Sequence, residues 1–231
     1  MSIKVSVITG AFGSLGTAVA SAFAASGARL VLLDCAAAPP EICSRYGTGH
    51  LILEGVDLAA PDAAREAMQA ARDRFGGIDV LVNIAGGFRW QLMETGDLAT
   101  WDTMFSINLK TAVSTCMAAL PHLLARGGGR IVNVGAAAAA KAAVGMGAYT
   151  ASKSGVLRLT ESLSDELKDR GITVNAVLPG TIDTPQNRTD MPNADASRWV
   201  APADIASVIL FLTTDAARAV TGASIPVLGR G

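Results

Sequence analysis

The stretch TGAFGSLG, residues 9–16, is the part of this 231-residue chain that decides its fold. An apolar run, residues 3–9, leads into it, and a segment with helical periodicity, residues 15–26, follows it. Glycines let the backbone turn sharply at such a junction, and the free N–H groups and dipole of a helix N-terminus bind phosphate. The order of strand, glycine-rich turn and helix therefore predicts a loop that cradles the pyrophosphate of a dinucleotide. The residues expected to contact this cofactor are Gly10, Phe12, Gly13, Ser14, Leu15 and Gly16.

Short apolar runs alternate with longer helical segments along the rest of the chain. The runs lack the polar alternation of half-exposed strands, which is typical of strands buried on both faces of a parallel sheet. Further strands are predicted at residues 29–34, 50–55, 78–83, 130–135, 173–178 and 223–228. Further helices are predicted at residues 62–75, 100–125, 148–170 and 202–213. We therefore predict an α/β protein with a Rossmann-type doubly wound parallel sheet and helices on both faces, formed as a single domain over residues 1–231.

The composition excludes several classes of protein. Nineteen Lys and Arg residues nearly balance 20 Asp and Glu residues, and 50% of the side chains are hydrophobic, so neither nucleic-acid binding nor disorder is expected. Cys35, Cys43 and Cys116 have no metal-ligand spacing, so no metal site is expected. The longest low-charge stretch, residues 131–151, is broken by a lysine, an asparagine and three glycines, which argues against a membrane span. Since no signal peptide precedes the first strand, we expect a cytoplasmic protein.

Carboxylates and small residues after later strands extend the predicted dinucleotide site. Asp34 ends the second strand, where a carboxylate accepts both ribose hydroxyls of adenosine and repels a 2′-phosphate, so NAD(H) is preferred over NADP(H). A glycine-rich turn with a solvated aspartate is the alternative interpretation. Asp57-Leu58 follows the third strand and would contact adenine, although a solvated turn explains Asp57 equally well. Asn83 closes the fourth strand, and together with Ala85 and Gly86 it would let a flat ligand lie against the backbone. Asn83 could also tie neighbouring strands, which is compatible with a role beside the cofactor.

Tyr149 and Lys153 form a candidate proton-transfer pair. They lie four residues apart at the start of a long predicted helix, so both project from one helical face. A free phenol has a pKa of ~10. A nearby ammonium would stabilise the phenolate and lower that pKa toward neutrality, as general acid–base catalysis requires. A surface helix with a solvent-extended lysine would show the same spacing.

Together with Asn108 and Pro179-Gly180, these motifs resemble the short-chain dehydrogenase/reductase family in their order over essentially the whole chain. The resemblance implies a seven-stranded sheet, a nicotinamide dinucleotide, a small-molecule substrate and a homodimer or homotetramer. It implies that Tyr149 gives or takes the proton at the reacting oxygen, and that Lys153 binds the nicotinamide ribose and tunes Tyr149. Asn108 would help to anchor a water that relays protons. The further cofactor contacts that the resemblance implies follow the strand at residues 173–178 and are Pro179, Gly180, Ile182 and Thr184.

Three positions depart from the family pattern. Ser14 replaces the middle glycine of the loop, and Val227-Leu228-Gly229 lacks the acidic residue common in the last strand. Position 136, thirteen residues before Tyr149, is alanine where the family has a serine that hydrogen-bonds the substrate oxygen. Loss of one such donor costs ~10²–10³-fold in rate for a substrate that needs it. In Ala136 and in residues 182–199, which follow the sixth strand, the chain resembles the quinonoid dihydropteridine reductases of this family, which lack the serine and reduce a conjugated ring.

The predicted substrate lid spans residues 181–200. A loop of this length inside a compact domain is usually functional. Trp90, Met191 and Trp199 could wall an aromatic substrate, although Trp199 could equally anchor the lid on the core. Arg89 could meet an anionic or carbonyl group, although an exposed arginine usually has no such role.

These observations leave three hypotheses for function. The leading one is an NADH-dependent reductase that passes a hydride to a planar, conjugated acceptor or a small carbonyl, with Tyr149 as the proton donor. The second is an ordinary alcohol dehydrogenase or ketoreductase, such as a 3-oxoacyl reductase, in which water or another donor replaces the serine. The third is a dinucleotide-binding regulator without chemistry. Tyr149, Lys153 and Asn108 together argue against the third, because binding alone needs no tyrosine acid.

Overall fold

A seven-stranded parallel sheet forms the centre of the fold in the computed structural model, which describes residues 4–230. The strands are β1 (Val5–Thr9), β2 (Arg29–Leu33), β3 (Leu51–Leu53), β4 (Val80–Asn83), β5 (Gly129–Val134), β6 (Ile172–Pro179) and β7 (Ser224–Val227). Their order is β3-β2-β1-β4-β5-β6-β7, so the winding reverses between β1 and β4. Such a reversal leaves a crevice at the carboxyl ends of the two strands, where α/β proteins bind ligands. The predicted doubly wound fold is confirmed, and position 3 of the first predicted strand lies outside the described residues.

Helices cover both faces of the sheet. They are α1 (Ser14–Ala25), α2 (Pro40–Tyr46), α3 (Pro61–Phe75), α4 (Leu98–Met104), α5 (Thr111–Ala125), α6 (Gly147–Leu167), α7 (Pro185–Asp190) and α8 (Pro202–Leu212). α1 and α8 bury Phe23 and Ile209 on one face, and α3 and α5 bury Met68 and Leu123 on the other. Each such side chain contributes about 1.5–3 kcal/mol, so the two cores hold the strand ends firmly in register. Within residues 4–230, no helix is long and apolar enough to cross a membrane.

A π turn interrupts the predicted helix at residues 100–125. That helix begins at Leu98, passes through Phe105–Lys110 as a π turn, and continues as α5. The N–H of Thr111 donates to the carbonyl of Ser106, five residues earlier. π turns occur mostly at functional sites, and this one contains the buried side chain of Asn108.

Candidate active site

The glycine loop packs tightly against the loop that follows β4. Gly10 has a φ of +61°, and a Cβ there would lie 2.8 Å from the main-chain nitrogen of Ala85. A Cβ on Gly16 would lie 2.1 Å from the carbonyl oxygen of Gly10. The Thr9 hydroxyl accepts hydrogen bonds from the N–H groups of Ile84 and Ala85, at 3.0 and 3.1 Å. The absence of a side chain at Gly10 therefore lets the two loops meet at the crevice, and its absence at Gly16 lets α1 begin close against the glycine loop.

The N-terminus of α1 is open at the other side of this loop. Gly13 precedes the helix with an ordinary φ of −75°, and a Cβ on it would meet no atom closer than 3.7 Å. Gly13 and Ser14 are exposed. Serine therefore fits where the family usually has glycine, and the first N–H groups of α1 can meet a phosphate. The Leu15 side chain, in contrast, is buried in the core, so only its main chain could contact a ligand.

The carboxylate of Asp34 lies beside the glycine loop. Its two oxygens accept from the N–H groups of Phe12 and Ala36, at 3.0 and 3.1 Å. Burial, followed by the negative charges of Asp34 and Asp57, raises the pKa of the neighbouring Cys35 thiol. The half-buried Asp34 thus lies at the carboxyl end of β2, where the sequence predicts a contact with the adenosine ribose.

Asp57 and Leu58 were predicted to contact adenine together, but their side chains lie in different surroundings. Asp57 is exposed, and its side chain accepts from the N–H of Ala59 at 2.9 Å, as in the solvated-turn interpretation. Leu58 is buried in the core, since the turn that exposes Asp57 directs the next side chain inward. Any cofactor contact of Leu58 is therefore restricted to its main chain.

Asn83 ties neighbouring elements together. Its Nδ2 donates to Oδ1 of Asn133 at 2.9 Å and to Sγ of Cys116 at 3.3 Å, and its Oδ1 accepts from the Thr115 hydroxyl at 2.7 Å. Asn133 in turn donates to Thr160 at 2.9 Å. Both N–H bonds of the Asn83 amide are used inside the protein, so its side chain has no donor left for a cofactor.

Lys153 lies in the second turn of α6, in the interior of the protein. Its side chain is buried, and Nζ donates to the carbonyl of Val134 at the end of β5, at 2.9 Å. A Cβ on Gly86 would lie 3.3 Å from this nitrogen and 2.4 Å from Oδ1 of Asn108. The alternative of a solvent-extended lysine is therefore wrong, and Lys153 and Asn108 meet at Gly86.

Tyr149 lies one turn before Lys153 and is half-buried. Burial raises the pKa of the Tyr149 phenol to about 12 and lowers the pKa of the Lys153 ammonium to about 8. The expected lowering of the phenol's pKa by the ammonium is not observed in this structure, because Lys153 donates to Val134 and desolvation dominates both groups. At neutral pH the phenol therefore keeps its proton.

Asn108 joins the π turn to the loop after β4. Its Oδ1 accepts from the N–H of Gly87, and its Nδ2 donates to the carbonyl of Gly87, both at 3.0 Å. Nδ2 also donates to the hydroxyl of Ser152 at 3.1 Å. Because both N–H bonds of the amide are used, the side chain has no donor left for a relay water, which favours binding of such a water to the main chain of Asn108. The part of Ser152 was not predicted, since a serine inside a helix gives no distinct sequence signal.

The residues predicted to line the substrate are dispersed. Ala136 is buried just after β5. The indole N–H of Trp90 donates to the carbonyl of Val144 at 3.0 Å, so this ring is fixed against a neighbouring loop, whereas Arg89 is exposed. The aromatic ring beside Tyr149 is instead that of Phe88, and the sequence FRW offered no means to choose between the two.

The lid returns to its starting point at a short parallel bridge between Ile182 and Val200. A cavity of about 460 Å³ separates part of the lid from the sheet, and it is lined by the half-buried Trp199 and by Gly180, which follows β6 directly after Pro179. Met191 is exposed at the end of α7. The Thr184 hydroxyl caps α7 by accepting from the N–H of Asn187 at 3.1 Å. Trp199 thus lines a cavity, while the Thr184 hydroxyl already has a structural partner.

Comparisons with known proteins show the family to which this chain belongs. Residues 4–195 match the family model for short chain dehydrogenases. D-threitol dehydrogenase of Mycolicibacterium smegmatis is 36% identical over 240 residues, which cover 98% of this chain and 92% of that protein. A 3-oxoacyl-(acyl-carrier-protein) reductase of Thermotoga maritima is 32% identical over 245 residues, which cover 98% of this chain and 96% of that protein. The crystal structure of carveol dehydrogenase from Mycobacterium avium in complex with NAD has a TM-score of 0.88 at 28% identity, over 98% of this chain and 96% of that one. The chain belongs to the short chain dehydrogenase family.

Proposed function

We propose that this member of an oxidoreductase family interconverts a carbonyl compound and its alcohol with NAD(H) as the hydride carrier. The observation that carries the proposal is the buried Lys153 ammonium, which adjoins Gly86 at the crevice, one helical turn from Tyr149. An ammonium placed there can donate to the ribose hydroxyls of a dinucleotide. The NAD bound to carveol dehydrogenase supports the same class of cofactor here.

The residues around the crevice fit such a dinucleotide. Gly10 and Gly16 carry no Cβ where one would collide with main-chain atoms, and α1 offers free N–H groups to the pyrophosphate. Asp34 would accept the ribose hydroxyls of the adenosine and exclude a 2′-phosphate, which favours NAD(H) over NADP(H). The bound dinucleotide supplies the hydride in reduction and accepts it in oxidation.

Tyr149 would provide the proton. In reduction, a hydride adds to the carbonyl carbon while the phenol O–H gives its proton to the carbonyl oxygen, and the alcohol leaves. Oxidation reverses both transfers. Lys153 would hold the cofactor ribose and replace the proton on Tyr149 through a water at the main chain of Asn108. The raised pKa of Tyr149, about 12, keeps the phenol protonated before reduction.

A planar, conjugated acceptor is the second candidate substrate. Ala136 lacks the hydroxyl that would hold a simple carbonyl oxygen, and a conjugated ring spreads the developing charge so that one donor matters less. The resemblance of the lid to that of the dihydropteridine reductases supports this candidate. The relatives that act on alcohols and 3-oxoacyl groups support the first one.

Turnover measurements decide between the candidates. NADH oxidation is followed with ethyl acetoacetate as a simple ketone and with a quinonoid dihydropterin as a conjugated acceptor. Ala136→Ser should raise kcat for the ketone by ~10-fold or more if the missing donor limits the reaction, and should change little for the dihydropterin. If the protein binds NADH but no carbonyl or quinonoid compound oxidises that NADH, the proposal is wrong and the regulator hypothesis is favoured.

We also propose that the chain is one domain and assembles as a homodimer or homotetramer. Phe105 and Met117 expose 56% and 71% of their surface around the π turn and α5, which supports a covered face there. Analytical ultracentrifugation measures the assembly, and a monomer at micromolar concentration would contradict it.

A further inference from the structure

Phe88 is an aromatic side chain that the proposed chemistry leaves unused. Its ring stands edge-on to the ring of Tyr149, with 5.0 Å between centroids and an angle of 86° between planes. More than half of Phe88, 54%, is nevertheless exposed. A single exposed apolar side chain is common on a protein surface, but this one contacts the ring of the proposed catalytic phenol. The free part of the Phe88 ring therefore offers a flat apolar surface next to the phenol.

The main chain on both sides of Phe88 is held in place. On one side, Asn108 makes two hydrogen bonds of 3.0 Å to the N–H and carbonyl of Gly87. On the other side, the N–H of Gln91 donates to the carbonyl of Gly145 at 2.8 Å. Phe88 thus stands between two anchors, so a ligand that packs on its ring does not have to order the loop first.

The second anchor depends on a glycine. Gly145 has a φ of +73°, and a Cβ on it would lie 2.2 Å from ring atoms of Trp90. The Trp90 indole packs on this bare backbone and donates its N–H to the carbonyl of Val144 at 3.0 Å. Trp90 and Gly145 form a clasp that joins the loop after β4 to the loop before α6.

We propose that Phe88 is a specificity-determining residue that selects substrates with a flat unsaturated ring next to the reacting atom, and that the clasp of Trp90 and Gly145 positions it. This inference rests on the proposed function, because it assumes that the substrate reacts at the Tyr149 hydroxyl. That hydroxyl belongs to the ring that Phe88 contacts, so a ring-bearing substrate bound there lies within reach of Phe88. Aromatic rings attract each other at centroid distances of 4.5–7 Å, edge-on or offset, by about 0.5–1.5 kcal/mol beyond their burial. Aliphatic ketones gain no such attraction.

Two substrates and a matched control test the proposal. Menadione supplies a flat conjugated ring, and ethyl acetoacetate supplies a small aliphatic ketone. Phe88→Ala should lower kcat/KM for menadione by about 10-fold and for the ester by less than about 2-fold, and Phe88→Leu should give an intermediate loss for menadione. Phe211→Ala removes an aromatic ring of similar exposure, 48%, on α8 and should change neither value. Equal losses for both substrates would overturn the proposal, since Phe88 would then act only by supporting Tyr149.

A binding measurement separates this inference from the proposed function. The Kd of menadione is measured by calorimetry with NAD+ bound, so that no reduction occurs. Phe88→Ala should raise this Kd by about 10-fold whether or not the wild type turns menadione over. An unchanged Kd, or no binding to the wild type, would refute the role of Phe88. Binding that depends on Phe88 without turnover of any acceptor would instead refute the proposed oxidoreduction.

The clasp has its own test. Trp90→Phe keeps a ring on Gly145 but removes the hydrogen bond to Val144, and Gly145→Ala displaces the ring. Both variants should lower the ratio of kcat/KM for menadione to that for the ester by roughly 3-fold. The urea midpoint of each variant shows whether it folds. If Gly145→Ala does not fold, Trp90→Phe alone tests the clasp. A folded Trp90→Phe with an unchanged ratio would remove the clasp from the proposal.

Discussion

Replacement of Lys153 by methionine should make the protein more stable and inactive. The ammonium of Lys153 is buried, and burial lowers its pKa from 10.5 to about 8. The pKa falls by roughly 2.5, and at ~1.36 kcal/mol for each pKa unit the charged form costs the folded protein about 3 kcal/mol at neutral pH. Methionine has a similar volume and no charge, so it avoids this cost. The lost hydrogen bond to Val134 offsets about 1 kcal/mol, which leaves a net gain of about 2 kcal/mol.

The sign of the pH dependence follows from proton binding. Between about pH 8 and pH 10.5 the unfolded chain still holds the Lys153 proton that the folded protein has released. The free energy of unfolding of the wild type therefore rises with pH across this window relative to the methionine variant, by about 3 kcal/mol in total. Burial also raises the pKa values of Cys116 and Tyr149 to about 12, which lowers stability at high pH. That effect is common to both proteins and cancels in their difference.

Urea unfolding of the protein without cofactor, at steps from about pH 7 to pH 10, measures the difference. Lys141→Met is the matched control, because Lys141 is exposed and its removal should give a difference that stays constant with pH. NADH oxidation by Lys153→Met should fall below detection while its urea midpoint at neutral pH rises. A difference between wild type and Lys153→Met that does not change with pH would refute the buried ammonium and the reasoning built on it.

Three further predictions concern the proposed chemistry and the cofactor loop. Tyr149→Phe should abolish turnover and leave the Kd of NADH within about 2-fold, as measured by calorimetry, because it removes only the proton donor. Asp34→Asn should lower the ratio of kcat/KM for NADH to that for NADPH by about 10- to 100-fold, since hydrogen bonds to a charged acceptor are worth about 1.5–3 kcal/mol. Gly16→Ala should weaken NADH binding and lower stability by about 1–3 kcal/mol, because its Cβ would lie 2.1 Å from the carbonyl of Gly10. Gly13→Ala, with 3.7 Å to the nearest atom, should be tolerated, and equal effects of both alanines would contradict the packing argument.

The strands and long helices could be predicted because burial on both faces leaves continuous apolar runs. The short helices α2 and α7 escaped prediction, since seven and six residues are too few for a helical period to appear. The π turn at Phe105–Lys110 escaped for a different reason. Its side chains continue the apolar pattern of a helix, while the change of hydrogen-bond register accompanies the contacts of Asn108 with Gly87 and Ser152, which are distant in sequence.

The residue types at the strand ends predicted the location of the candidate site well. They predicted the role of each side chain within the site less well. Asn83 ends β4 and Leu58 lies in the turn after β3, as expected, yet both side chains point into the protein. Side chains alternate between opposite faces at the end of a strand, and the sequence alone does not tell which faces the crevice. Phe88 was missed because three large side chains follow the glycines of that loop, and only the clasp at Gly145 decides which of them meets Tyr149.

The cost of burying Lys153 also bears on whether the chain performs chemistry at all. A protein that only bound a dinucleotide could hold the phosphates with the glycine loop and the ribose with Asp34, neither of which requires a buried charge. A buried ammonium without a carboxylate partner, which costs about 3 kcal/mol less the contribution of its one hydrogen bond, consumes a large fraction of the stability of a domain. Such a cost is expected where the charge acts on the reacting groups, and here the charge lies one helical turn from a phenol that keeps its proton. A regulator could use Lys153 to hold the cofactor ribose but would give no role to the phenol beside it, whereas the proposed proton transfer uses both groups.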